Sequence, residues 1–319
     1  MELRHVRYFI AVAEECNFTT AAARLNVSQS PLSQQIRKLE HEIGVQLFTR
    51  TTRSVALTYA GEVFYERMNA MLAASEDAVD AARKAARGEL GRLAVGFTGS
   101  ATYELLPTLV RTYLDRHPDV TLDVHSEMVT PAQVEALLAR RIAVGILRPP
   151  VQVRGLAVEI IRHEPVVALL ASQHPASVER EIDLSTLRDE WFISYPSNPP
   201  ATMYSVMQSA CETAGFIPKI RQVIPDSAAL VTLVAAGMGI ALVPASLRHL
   251  GINGVTFRPL RRPQLTVALA LAYREDNTGP LVRRFLETAR SVVRSRHAVE
   301  NRPAPQPPPD DEDYFTLSV

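Results

Sequence analysis

Apolar positions recur at helical spacing over the first sixty residues, interrupted by short polar turns. Leu3, Val6, Phe9, Ile10 and Ala13 share one helix face. A break at Cys16-Asn17 follows, and Thr19 opens a short helix from Ala21 to Leu25. Asn26-Val27-Ser28 forms the next turn, with Ser28 in N-cap position for the helix after it. In that helix Leu32, Ile36, Leu39 and Ile43 form a single apolar stripe, while Gln29, Ser30, Ser33, Gln34 and Arg37 lie on the other face. Pro31 is tolerated there because the first turn needs no intrahelical N–H, and Gly44 ends the helix. Gln46 to Thr58 alternates loosely, with Phe48, Val55 and Leu57 among Arg50, Arg53 and several threonines, and predicts a two-stranded wing.

From Ala60 to Arg87 the chain is alanine-rich, and apolar positions recur every three to four residues. A long helix with such a stripe needs a partner. A second copy would supply one by helix pairing, and packing on its own domain is the alternative. Gly88 and Gly91 close the segment. The pattern then changes to alternating strands (Leu90 to Phe97, Val120 to Ser126, Ile142 to Leu147) and helices (Tyr103 to Arg116, Pro131 to Arg140), which predicts a parallel sheet with covering helices. A second set begins at Pro165 and includes Trp191 to Tyr195, Thr202 to Ala214, Ile220 to Val223, Ser227 to Ala236 and Ile240 to Pro244. Leu265 to Ala272 and the amphipathic Leu281 to Val293 come last. The expected fold class is multidomain. An all-α winged helix-turn-helix domain (1–58) leads through a long linker helix (59–89) to two α/β lobes with a cleft between them, 90–164 plus 264–298 and 165–263. Residues 299–319, rich in Pro and then acidic, are expected to be a disordered tail.

Charge refines this outline. The 319 residues carry 34 basic and 34 acidic side chains, which argues against a nucleic-acid-binding surface spread over the whole molecule. One small module is compatible with it, since residues 1–60 hold seven Lys/Arg against five acids. Hydrophobic residues at 47 % suffice for real cores. Two cysteines, Cys16 and Cys211, lie far apart, so neither a disulfide framework nor a cysteine metal site is expected, and a reducing cytoplasm fits. No window reaches the ~18 consecutive apolar residues of a membrane span, and the charged N-terminus does not resemble an export signal. That disfavours an exported solute-binding protein, the rival for a two-lobed fold. An enzyme is disfavoured too, and no metal or cofactor is expected. Gly237 and Gly239 lack the third glycine of a dinucleotide loop, the histidines have no zinc spacing, and no Gly-x-Ser-x-Gly elbow occurs.

The polar-faced helix followed by a basic hairpin has the chemistry that reads double-stranded DNA. Gln29 and Gln34 can pair with adenine edges, Ser33 with several partners, and Arg37 with guanine or phosphate. Ser30 and Pro31 share the same first turn, and Arg50 and Arg53 suit phosphate or a minor groove. A merely solvated helix face would have the same composition. In the cleft, Thr98-Gly99-Ser100 and Thr130-Pro131 each join a strand to a helix, so Ser100 and Thr130 suit either capping or a ligand carboxylate. Ser197 and Asn198 precede a further helix, and Arg148 follows a strand as a candidate bidentate partner for a carboxylate.

The runs Leu3-Arg4-His5-Val6-Arg7-Tyr8-Phe9, Phe18-Thr19-Thr20-Ala21-Ala22-Ala23-Arg24-Leu25 through Gln35-Ile36, Leu39-Glu40 to Arg50, and Leu57-Thr58 with Ala60-Gly61 resemble the signature of the LysR-type transcriptional regulators. Leu233 to Pro244 is similar to that family's effector domain, and the resemblance covers about residues 1–295. It implies sensor lobes of periplasmic-binding-protein-like fold and a linker helix that dimerises. It also implies homodimers assembling into a homotetramer, a cytoplasmic transcription factor, and RNA polymerase as a further candidate partner. Phe192 to Pro199 is similar to the subgroup that regulates benzoate and muconate degradation. By that resemblance Ser100, Thr130, Pro196, Ser197 and Asn198 line the cleft, the effector is a small, aromatic-derived organic acid, and Arg162 with Glu164 forms a secondary site, for which a surface ion pair is the alternative; Thr98, in the same turn as Ser100, is a further effector-site candidate. Many family members carry Arg where this chain has Gln34, and a neutral amide there alters the implied base preference.

Overall fold

The computed structural model describes residues 1–51 and 54–300, backbone only over 296–300. Arg53 and residues 301–319, most of the expected tail, lie outside the described residues. The chain divides into two compact units, the first Met1–Ala85 and the second from Ala86 onward.

The first unit comprises α1 (Leu3–Glu15), α2 (Phe18–Arg24), α3 (Gln29–Ile43), the hairpin β1 (Phe48–Arg50) with β2 (Val55–Leu57), and most of α4 (Tyr59–Arg87). Its core joins Val6, Phe9, Val12, Ala21, Leu32, Ile36, Leu39, Leu47 and Phe48, so the stripes of three short helices bury one another. The second helix begins earlier than its composition suggests. Asn17 Oδ1 accepts from the backbone N–H groups of Thr19 and Thr20, so Asn17, not Thr19, opens it. Ser28 occupies the N-cap position of α3 without a side-chain capping bond. Gly44, at φ +76°, ends α3 in the left-handed region that glycine adopts freely.

The second unit holds β3 (Gly91–Phe97), α5 (Gly99–Arg116), β4 (Val120–His125), α6 (Thr130–Leu138), β5 (Val144–Leu147) and β6 (Leu156–Ala171). It continues with β7 (Ile182–Asp183), β8 (Trp191–Ser194), α7 (Thr202–Thr213), β9 (Lys219–Val223), α8 (Ser227–Ala235) and β10 (Ala241–Pro244). Last come β11 (Val255–Arg262), β12 (Thr266–Arg274) and α9 (Pro280–Glu300), the last of which takes in residues 299 and 300 of the expected tail. The sheet order is β4-β3-β5-β12-β6-β11-β7 with β10 also on β6, and β8 pairs in parallel with β9.

β6 changes partners midway. Leu156 to Pro165 pairs with β12, whereas Val166 to Ala171 pairs with β10 and β11. The two largest cores of this unit are therefore separate. Leu93, Val95, Phe97, Leu105, Leu109, Val144, Ile146 and Phe285 belong to one, and Leu169, Phe192, Met207, Leu230 and Leu242 to the other. The first half of β6 escaped the sequence pattern because Glu159, Arg162 and Glu164 mask its alternation. Each of these charges is paired within the fold: Glu159 with Arg290 at 2.6 Å, Arg162 with Glu104, and Glu164 with Arg148. β11 went unread for a similar reason, having Arg258, Pro259, Arg261 and Arg262 in its run.

Candidate functional site

In the first unit α3 keeps Leu32, Ile36 and Leu39 inside and presents Gln29, Ser30, Pro31, Gln34 and Arg37 to solvent, with Ser33 half-buried beside them. The helix therefore carries an exposed polar stripe on a fixed apolar base, which a solvated or a base-reading helix would share. The hairpin is tied to the same helix by one carboxylate that the sequence reading did not single out. Glu40 Oε1 accepts from the N–H of Leu47 at 3.0 Å and of Phe48 at 3.1 Å, and Oε2 accepts from Arg50 Nη2 at 2.6 Å. Arg50 also lies over the Phe18 ring, 5.0 Å from its centroid. It is thus a held wing residue, half-buried, and not a free cation.

In the second unit a small chamber lies between the lobes. It is lined by Thr98, Gly99, Ser100, Glu127, Thr130 and Arg148 from one lobe and by Tyr195, Ala201, Thr202, Met203 and Ser227 from the other. Its cavity of about 20 Å³ has room for about one water. Thr130 and Thr202, from opposite lobes, each donate to the Arg148 carbonyl oxygen at 2.8 Å. Beyond those two threonines an outer groove of about 280 Å³ opens between Pro131, Val134, Pro150, Val151 and Val153 on one side and Pro200 and Ser205 on the other.

The expected cleft residues divide. Thr98 is the N-cap residue of α5 but makes no side-chain cap, and Ser100 lies inside the first turn with its Oγ 2.6 Å from Arg148 Nη2. Thr130 likewise caps nothing, because Val129 is the N-cap of α6 and the Thr130 hydroxyl is spent on Arg148. Capping is therefore not what these two hydroxyls do. Arg148 departs further from expectation. It is 2 % exposed, its Nη2 is paired with Glu164 and its Nη1 reaches the Ala268 carbonyl at 3.3 Å, so it offers no free cation to a ligand. Pro196, Ser197 and Asn198 line neither the chamber nor the outer groove. Their loop folds back, with Ala201 N–H on the Pro196 carbonyl and a bridge between Ser197 and Pro200, which leaves Ser197 and Asn198 exposed. Ala201, Thr202 and Met203, just downstream, meet the cavity instead.

Glu164 is buried and Arg162 largely so, contrary to a surface ion pair. Arg162 Nη2 lies 3.6 Å from Glu164 Oε2, with side chains 10 % and 8 % exposed, and Arg162 Nη1 donates to Glu104 at 2.7 Å. Glu104, Arg162, Glu164 and Arg148 thus alternate in sign from a hollow of about 240 Å³, beside His163, Arg248 and His249, to the Ser100 hydroxyl in the chamber. Residues that composition did not flag are Tyr103 and Glu127. The Tyr103 hydroxyl donates to Glu127 Oε1 at 2.7 Å, and burial followed by this carboxylate raises the phenol's pKa above its ordinary value. Tyr195, whose hydroxyl is 3.2 Å from Ser227 Oγ, is pushed up to about 12 by burial, so it stays protonated. Among the described residues no cluster of His, Cys, Asp and Glu could hold a metal, and no helix is long and apolar enough to cross a membrane.

Comparisons with known proteins place this geometry. Residues 3–62 match the bacterial regulatory helix-turn-helix family of LysR type, and residues 86–294 match the LysR substrate binding domain. The chain is 43 % identical to the transcriptional regulator AlsR of Bacillus subtilis, covering 90 % of this chain and 94 % of that protein. It is 38 % identical to the regulator BudR of Raoultella terrigena, covering 90 % and 99 %. Full-length CbnR in its crystal structure with target DNA matches with a TM-score of 0.79 at 32 % identity, over 92 % of this chain and all of that one. The chain belongs to the LysR family and is a DNA-binding transcriptional regulator, not an enzyme, with a helix-turn-helix unit and a two-lobed effector-binding domain.

Proposed function

We propose that α3 enters the major groove of double-stranded DNA, with Gln29, Ser30, Ser33, Gln34 and Arg37 toward base edges and backbone and Pro31 fixing the first turn. Arg53 meets phosphate or the minor groove, as does Arg50 through the N–H groups that its pairing with Glu40 leaves over. The observation that carries this reading is the exposed polar stripe of α3 over buried Leu32, Ile36 and Leu39, with the wing clamped to the same helix by Glu40.

The effector in this reading is a small organic acid. Its carboxylate lies toward Thr98, Ser100 and Thr130 in the inner chamber, and its body, aromatic-derived as the resemblance implies, lies against the apolar residues of the outer groove. An aromatic ring exceeds the inner chamber, so binding requires the lobes to open and reclose around it. Arg162 and Glu164 face a separate hollow suited to a second acid. Past Leu72 the apolar side chains of α4, Val79 among them, have no cover within the first unit, which favours pairing of α4 with a second copy into dimers and tetramers. The effector then acts by its differential affinity for two lobe arrangements, which re-space the DNA-binding pairs before RNA polymerase in the cytoplasm.

The test is a gel shift with the DNA immediately upstream of the protein's own gene, with and without benzoate and cis,cis-muconate. Specific retardation altered by either acid is expected. Retardation indifferent to both acids contradicts the proposed effector class.

A further inference from the structure

We infer that Glu127 is a tethered stand-in for the effector's carboxylate and sets which acids the cleft accepts. This rests on the cleft being the effector site. Glu127 stands between β4 and α6 with φ +56°, in the left-handed region that a side chain disfavours. That backbone turn aims its carboxylate across the cleft. One oxygen accepts from the Tyr103 hydroxyl at 2.7 Å within its own lobe, and the other accepts from the N–H of Ser227, the first residue of α8 in the opposite lobe, at 2.9 Å. The carboxylate also lies against Gly99, the first residue of α5. A Cβ added there would collide with Glu127 Oε2 and Ser227 Oγ. The charge therefore sits where the N-termini of two helices from two lobes converge, a position that favours an anion.

Little else in the chamber is free to receive an acid. Arg148 is neutralised by Glu164, and the space left is about one water. An incoming acid must therefore exchange its carboxylate for that of Glu127. Such an exchange is nearly even for the carboxylate alone. Net affinity comes from the rest of the molecule, which selects acids with an apolar body able to fill the outer groove between Val134, Val151, Val153 and Pro200. Without an acid, the Glu127–Ser227 bond holds the two lobes together.

The test is chemical rescue in the full chain. Glu127→Ala removes a CH₂–COO⁻ fragment, the size of acetate, and Glu127→Gly removes one carbon more while relaxing the left-handed backbone, so that folding is retained in at least one variant. Thermal unfolding is followed with sodium formate, acetate or chloride at equal ionic strength. Both variants should be stabilised by formate and acetate over chloride, with half-maximal effect at a concentration at least about tenfold below any seen with the wild type. Identical responses of variants and wild type overturn the inference. If the wild-type gel shift still answers to benzoate or muconate in that case, only the role of Glu127 falls. If that response is absent as well, the cleft reading falls with it.

Discussion

Charged side chains in the second unit are worth most where they are least exposed. Glu164 lies between two arginines, and Glu164→Ala leaves Arg148 buried without its carboxylate. A loss of about 3–5 kcal/mol is expected, in urea unfolding followed by Trp191, the chain's single tryptophan, which lies in this unit. Arg148→Met combined with Glu164→Leu removes both charges and should cost clearly less than the single change, because Arg162 keeps Glu104. Equal losses would mean that the pair is not what matters there. His117 offers a pH-dependent counterpart. Burial first, and Arg284 and Arg116 next, lower its pKa, and its Nδ1 is buried without a hydrogen-bond partner. The neutral ring is thus favoured in the folded state. Its contribution is complete above the unfolded value of about 6.5 and is lost as pH falls toward the lower folded value. His117→Phe, which keeps a ring against Tyr113, should flatten the fall in Tm between about pH 7 and 5 relative to wild type, and parallel profiles would contradict this. Residue roles of this kind were only half legible in the sequence. Ser100 and Thr130 could be named as polar residues at element boundaries, and Arg162 and Glu164 only through the family resemblance. What each one touches depended on pairings between β6, α5 and β5, which no local pattern encodes.

At the scale of elements, the wing and the recognition helix behave as one piece because Glu40 of α3 holds two backbone N–H groups at the start of the hairpin. Glu40→Ala strands both donors and releases Arg50, and should destabilise the first unit by roughly 2–3 kcal/mol in thermal unfolding while weakening DNA retention. Glu40→Gln keeps an acceptor and should lose less, and equal losses would shift the role from hydrogen bonding to charge. Elements with a clean period were readable in advance. The 4-3-4 stripe of α3 and the buried run of β5 needed nothing beyond spacing. The start of α2 was misjudged because Asn17 read as a break when it is a cap, and β6 was shortened because its charges, which break the alternation, are paired with partners from other elements.

On the scale of the whole molecule, the multidomain outline was legible because the switch from a helical period to strand–helix alternation near residue 90 is abrupt. The cleft was less so. Ser197 and Asn198 were expected in it and stand outside, whereas Glu127, unremarkable in sequence and held by the Tyr103 hydroxyl, stands inside by virtue of how the lobes close. Assembly belongs to this scale too. If α4 pairs with a second copy, Val79→Asp on its exposed stretch should shift sedimentation of the purified protein toward smaller species, and an unchanged profile would move the dimer contact elsewhere. In the proposed function an organic acid between the lobes alters how α3 and its partners sit on DNA. The measurement that meets it most directly is a DNase footprint over the upstream region, with and without benzoate or cis,cis-muconate. A protected region whose extent or spacing changes with the effective acid is expected. Footprints identical in every condition, from folded and bound protein, would contradict it.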